Sequence, residues 1–142
     1  MRSLHVQYGA ALMAAPVFCF GYLLVLKEKP VDVFWLFFDM KSLFSLVFFY
    51  PVVEELVFRG ITQEYLHEKT KQLPSFFIFS IANILTSVLF VLMHMIHHAP
   101  FFALLTFVPS LLFGYFKDRY NHIVCSIFLH MFYNLCYFSL IV

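Results

Sequence analysis

The chain is predicted to be all-α, a polytopic transmembrane bundle of about five helices, four of which form the core. Three observations predict this. Its 142 residues are 63% hydrophobic and only 12% charged, whereas soluble domains carry roughly 25% charged residues. Mean hydropathy is +0.87. Apolar stretches near the roughly 20 residues needed to cross a bilayer recur five times, with few strongly polar side chains inside them. No repeat, low-complexity tract or linker interrupts the chain. One membrane-embedded domain over residues 1–142, with its core at 42–141, is the simplest partition.

The first apolar stretch, 4–26, follows Arg2 and contains Ala14-Ala15, as a signal peptide would. It exceeds the roughly 7–15 residues of a signal core, so we read it as a retained helix. Residues 27–41 mix Lys27, Glu28, Lys29, Pro30, Asp32, Asp39 and Lys41 with the run Phe34–Phe38. That composition predicts a loop and an interfacial segment, with Trp35 at headgroup level. The second span is 42–66. The third is 74–97. The fourth, 100–117, is short, and Pro109 is expected to kink it, which membrane helices tolerate when neighbours satisfy the freed carbonyl. The fifth is 121–141. Arg2, Lys69, Lys71, Lys117 and Arg119 would share one side against Lys27, Lys29 and Lys41 on the other. Five against three orients the amino terminus inside.

Composition also excludes functions. The net charge is +1 and no basic run exists, so nucleic acid is not an expected partner. Cys19, Cys125 and Cys136 are odd in number and lie in apolar segments. They suit neither a disulfide framework nor zinc spacing, and serve as small buried residues.

The polar residues inside the spans are few enough to weigh singly. Glu54 and Glu55 are adjacent in an otherwise apolar run. A carboxylate at bilayer depth costs ~2.5–3.5 kcal/mol by insertion assays, and intramembrane charge marks a functional site by default. Arg59, four residues after Glu55, shares its helix face and is expected to pair with it. Glu54 then lies about 100° round the helix as the second carboxylate. Pro51, one turn earlier, removes a backbone donor and loosens the helix. On the third span Phe90 and His94 are four apart, and on the last His130 and Asn134 are four apart. A His–Asn pair one turn apart can aim two donors at one point, as an oxyanion hole requires. A Glu with a His can deprotonate a water and later return the proton. The set suits water attack on an amide carbonyl inside the membrane. Taken alone, His94, His130 or Asn134 would more often be an interhelical hydrogen bond. His97 and His98 follow His94 at the membrane surface, and His67 lies in a charged loop. His5 and His122 mark helix starts.

Pro51-Val-Val-Glu54-Glu55-Leu-Val-Phe-Arg59-Gly60, Phe90-Val-Leu-Met-His94 and His130-Met-Phe-Tyr-Asn134 resemble, in this order, the three motifs of the CAAX protease and bacteriocin-processing (Abi) group of glutamic-type intramembrane proteases. The motifs span 51–134, essentially that family's catalytic core. The resemblance implies that Glu54 and His94 activate water and that His130 and Asn134 form the oxyanion hole. Glu55 and Arg59 would pair and shape the site, and Phe90 would pack near His94. It implies no cofactor. Zinc on Glu54, His94 and His130 is the alternative, disfavoured because Asn134 is a poor zinc ligand and a good donor. A membrane-associated peptide or protein tail would be the substrate, in a bacterial or archaeal cell membrane. The chain has little beyond the core, so the helices that surround the chamber in larger members are expected either to be missing or to come from a second copy or an accessory membrane protein.

Two expectations stay open at this level. One is an intramembrane endopeptidase. The other is a non-catalytic membrane binder, such as a bacteriocin self-immunity protein or scaffold, using the same polar cluster. Depth is a further test: at 1.5 Å per residue Glu54 lies ~18 Å, His130 ~14 Å and His94 ~30 Å from the inner ends of their spans. One site requires His94 to lie nearer the others.

Overall fold

The computed structural model describes residues 2–27 and 35–141. The expected loop residues Glu28, Lys29, Pro30 and Asp32 lie outside the described residues. The elements are α1 (Arg2–Leu26), α2 (Trp35–Phe38), α3 (Met40–Ser42), the π-helix π1 (Leu43–Phe49), α4 (Tyr50–Glu55), a second π-helix π2 (Leu56–Thr62), α5 (Gln63–Thr70), α6 (Ile81–His94), α7 (Pro100–Leu105), α8 (Phe107–Tyr120) and α9 (Ile123–Leu140). The fold is helical throughout; among the described residues the one β feature is a single antiparallel bridge between Phe76 and Phe79. Three helical stretches are long and apolar enough to cross a membrane: Ser3–Val25, Pro100–Tyr120 and Ile123–Leu140. Ile81–His94 is apolar but shorter.

The second predicted span lies in a helical run from Met40 to Thr70 whose register changes four times. Wide π turns of this kind recur at functional sites in helices. Asp39 opens the run. Its carboxylate accepts from the Lys41 and Ser42 amides and from the Ser42 hydroxyl, satisfying donors a helix start leaves unpaired.

Two local expectations are revised. The third helix starts at Ile81, not near Pro74, with Ser80 as its cap accepting from the Asn83 amide at 3.1 Å. His94 therefore lies ~20 Å from the start of its helix rather than ~30 Å. The break in the fourth span falls at Thr106, between α7 and α8, three residues before Pro109. A proline within the first turn of a helix needs no donor, so α8 accommodates Pro109 and the discontinuity moves upstream. The Thr106 hydroxyl turns back onto the Ala103 carbonyl at 2.7 Å. Asn121, at φ 52°, ends α8 in the left-handed conformation, which Asn tolerates better than most residues.

The described residues form two compact units, residues 1–52 with 128–142, and residues 53–127. In the first, α1 buries Ala11, Ala15, Cys19 and Leu23, a stripe at four-residue spacing, and exposes Val17, Phe18, Phe20 and Leu24. Small residues on one stripe let helices approach closely where lipid provides no hydrophobic drive. The Tyr133 hydroxyl donates to the Ala11 carbonyl at 2.8 Å, and the Trp35 indole donates to the Phe138 carbonyl at 3.0 Å.

In the second unit α6 is inside out. It buries Ala82, Asn83, Thr86, Ser87, Phe90 and Val91, while Leu85, Val88, Leu89 and Leu92 face outward. Polar groups turn inward because lipid offers them no partner. Asn83 Nδ2 donates to the Leu111 carbonyl at 2.9 Å, and Ser87 donates to Asn83 Oδ1 at 3.3 Å. Gln63 Nε2 donates to the Gly114 carbonyl and to Asp118, which also accepts from Ser80. Gly114 is required here: a Cβ would run into the Asn83 and Gln63 side chains.

Candidate active site

Glu55 closes α4 and Arg59 sits in the middle of π2, so the four-residue spacing brings them together across the change of register. Glu55 Oε2 lies 3.3 Å from Arg59 Nε, and both side chains have zero solvent exposure. Arg59 Nη2 donates to the Ser110 carbonyl and hydroxyl, both at 2.8 Å. The guanidinium also rests on two aromatic faces, 5.0 Å from the centre of Phe90 and 5.7 Å from that of Phe113. Each contact serves one need. The carboxylate neutralises the charge, the Ser110 oxygens take up donors, and the rings replace water with polarisable surface.

Glu54, next along α4, is half-buried, and its charge also acts on Arg59. The second motif meets this cluster through Phe90, which packs edge-on against Phe58 with ring centres 5.0 Å apart. The His94 ring lies 4.4 Å from Phe90, and its Nδ1 is 2.9 Å from the Phe90 carbonyl. A carbonyl only accepts, so this hydrogen bond requires the proton on Nδ1; in the neutral ring the lone pair is then on Nε2.

His130 and Asn134 share one face of α9 in the other unit. His130 is buried and Asn134 half-buried. Asn134 Nδ2 donates to the Leu46 carbonyl of π1 at 2.9 Å. The structure thus gathers Glu55, Arg59, Phe90 and His94 in one unit, with Glu54 beside them in sequence, and carries His130 and Asn134 on α9 in the other.

His98 stacks on His94 with ring centres 5.8 Å apart. No third His, Cys, Asp or Glu joins them among the described residues. A polar cavity of about 350 Å³ opens among Glu64, His67, Lys117 and Asp118, and none of the motif residues lines it.

Ser110, Gln63, Asn83 and Asp118 were not singled out by sequence reasoning. One signal was available for part of the set. Asn83, Thr86, Ser87, Phe90 and His94 recur at three- and four-residue spacing on a helix otherwise made of large apolar residues.

The family model of the type II CAAX prenyl endopeptidases, Rce1-like, matches residues 35–136. The chain belongs to the Rce1-like family. The match contains every residue of the three motifs, from Pro51 to Asn134. No curated protein and no solved structure matches the chain. With helices of membrane-crossing length, an Rce1-like chain is an integral membrane protein, and its family is one of CAAX-type intramembrane proteases, hydrolases of peptide bonds.

Proposed function

We propose that this Rce1-like chain is a glutamic-type intramembrane endopeptidase that cuts a membrane-associated peptide or protein tail. Glu54 and His94 together take a proton from water as it attacks the scissile carbonyl. The electrons of the C=O bond move onto oxygen, and N–H donors of His130 and Asn134 receive the charge. Collapse of the tetrahedral intermediate expels the amine, which takes the proton back. Glu55 and Arg59 hold the helix that carries Glu54, and Phe90 holds His94.

The observation that carries this reading is the division of labour between the adjacent glutamates. Glu55 is fully buried against Arg59, whereas Glu54 keeps partial exposure. Burial against Arg59 gives the first carboxylate a structural role, and the second, partly exposed, is the one placed to meet water. The His94 Nδ1 contact supports the same reading, because it directs a basic nitrogen away from the helix backbone.

Purified protein in nanodiscs, offered a library of membrane-tethered peptides, tests it. Wild type is expected to cleave. Glu54→Ala, His94→Ala and His130→Ala should each lose at least ~10²-fold in rate, the scale of general acid–base catalysis. Chelator should change nothing. Chelator-sensitive cleavage would move the chemistry to zinc. Full cellular function in all three variants, without cleavage by wild type, would replace the enzyme with a membrane binder.

A further inference from the structure

We propose that Pro51 is a positioning residue for Asn134, acting through an acceptor that it leaves vacant. At the end of π1 the backbone bonds five residues back, the Tyr50 amide donating to the Ser45 carbonyl. The next carbonyl, that of Leu46, has two regular donors to choose from. One is the Tyr50 amide, already committed to Ser45. The other is the nitrogen of residue 51, which is proline and carries no hydrogen. Asn134 Nδ2 fills that vacancy at 2.9 Å, from a position 88 residues away in sequence.

The bond does more than satisfy Leu46. A carbonyl oxygen only accepts, so the amide nitrogen of Asn134, not its oxygen, must face it. One N–H is thereby fixed, and with it the plane of the carboxamide. The second N–H and Oδ1 then point in set directions, on the same face of α9 as His130. An oxyanion donor works only when held in place before the reaction begins. The role rests on the endopeptidase reading; the hydrogen bond and its dependence on Pro51 do not. The third motif thus depends on the residue that opens the first.

Pro51→Ala and Pro51→Val each return an N–H that can take the Leu46 carbonyl in the π register. Both spare every residue of the catalytic set, and either one folded suffices. The side-chain amide of Asn134 is followed by nitrogen NMR in nanodiscs, beside cleavage kinetics. In wild type the proton bonded to Leu46 should be shifted downfield of its value in a free carboxamide and be slow to exchange. Restoring the donor should remove both the extra shift and the protection. It should also lower kcat about tenfold with KM within twofold, short of the roughly hundredfold loss for an oxyanion donor removed outright. Adding Pro51→Ala to Asn134→Ala should cost nothing further. An unchanged Asn134 signal in the proline variants overturns the proposal whatever the activity. A changed signal with unchanged kcat overturns the positioning role. A changed signal in a protein whose wild type cleaves nothing upholds the Pro51–Asn134 link and sinks the endopeptidase reading alone.

Discussion

Arg59 is stabilised by a carboxylate, two Ser110 oxygens and two aromatic rings at once. Removing one partner of a buried ion pair leaves the other charge uncompensated. Arg59→Ala should therefore cost ~3–5 kcal/mol, read as a large drop in the thermal midpoint in detergent. Arg59→Lys should recover little, because an ammonium cannot reach Glu55 and Ser110 together while lying flat on Phe90. A lysine variant as stable as wild type would show that charge alone matters. The pairing with Glu55 was legible, because four residues on a helix set it. Its partner Ser110 was not. A serine in an apolar helix gives no sign of which carbonyl or cation it will meet; a contact 51 residues apart in sequence depends on tertiary packing.

At the scale of elements, the sequence marked the apolar stretches and blurred their edges. Polar caps, not the ends of hydrophobic runs, decide where these helices begin. Ser80 starts α6 because its hydroxyl is within reach of the Asn83 amide, although apolar residues continue upstream to Phe76. The π turns were illegible, since nothing in the order of side chains from Leu43 to Phe49 distinguishes a five-residue register from a four-residue one. Asp39 gives a test of capping. The Ser42 hydroxyl, then the Ser42 and Lys41 amides, hold its carboxyl below the ordinary 3.8. The folded state thus favours the carboxylate. Its contribution is present above that ordinary value and is lost as pH falls through the lower, folded one. Amide exchange at Lys41 and Ser42 should accelerate only under such acid conditions, and Asp39→Asn should abolish the pH dependence. Loss of protection already near neutrality would contradict the capping role.

Across the whole molecule, membrane residence was the plainest thing in the sequence, and the structure gives it a physical form. Val17, Phe18, Phe20, Leu24 and Val25 on α1, Leu85, Leu89 and Leu92 on α6, and Phe101, Leu104 and Val108 on α7 and α8 are all exposed. Apolar surface on this scale is untenable in water. The protein should stay with the membrane after alkaline carbonate washing and leave it only in detergent. Release by carbonate would be incompatible with spanning helices. The three motifs were legible because ionisable residues are so rare in these stretches. Their second-line partners, Gln63, Asn83 and Asp118, were not, because amides and hydroxyls need a facing helix before they mean anything.

The inward-facing polar stripe of α6 also bears on how the protein is made. At 14 residues the helix is ~21 Å long, short of the ~30 Å hydrocarbon core. Alone, it would show Asn83, Thr86 and Ser87 to lipid. The insertion machinery should therefore not release it as an independent span. It should wait beside the exit until α8, synthesised later, arrives with the Leu111 carbonyl that Asn83 needs. For this segment the order of translation and the order of entry into the bilayer are different, and a nascent chain halted before Leu111 should still be held by the translocation channel.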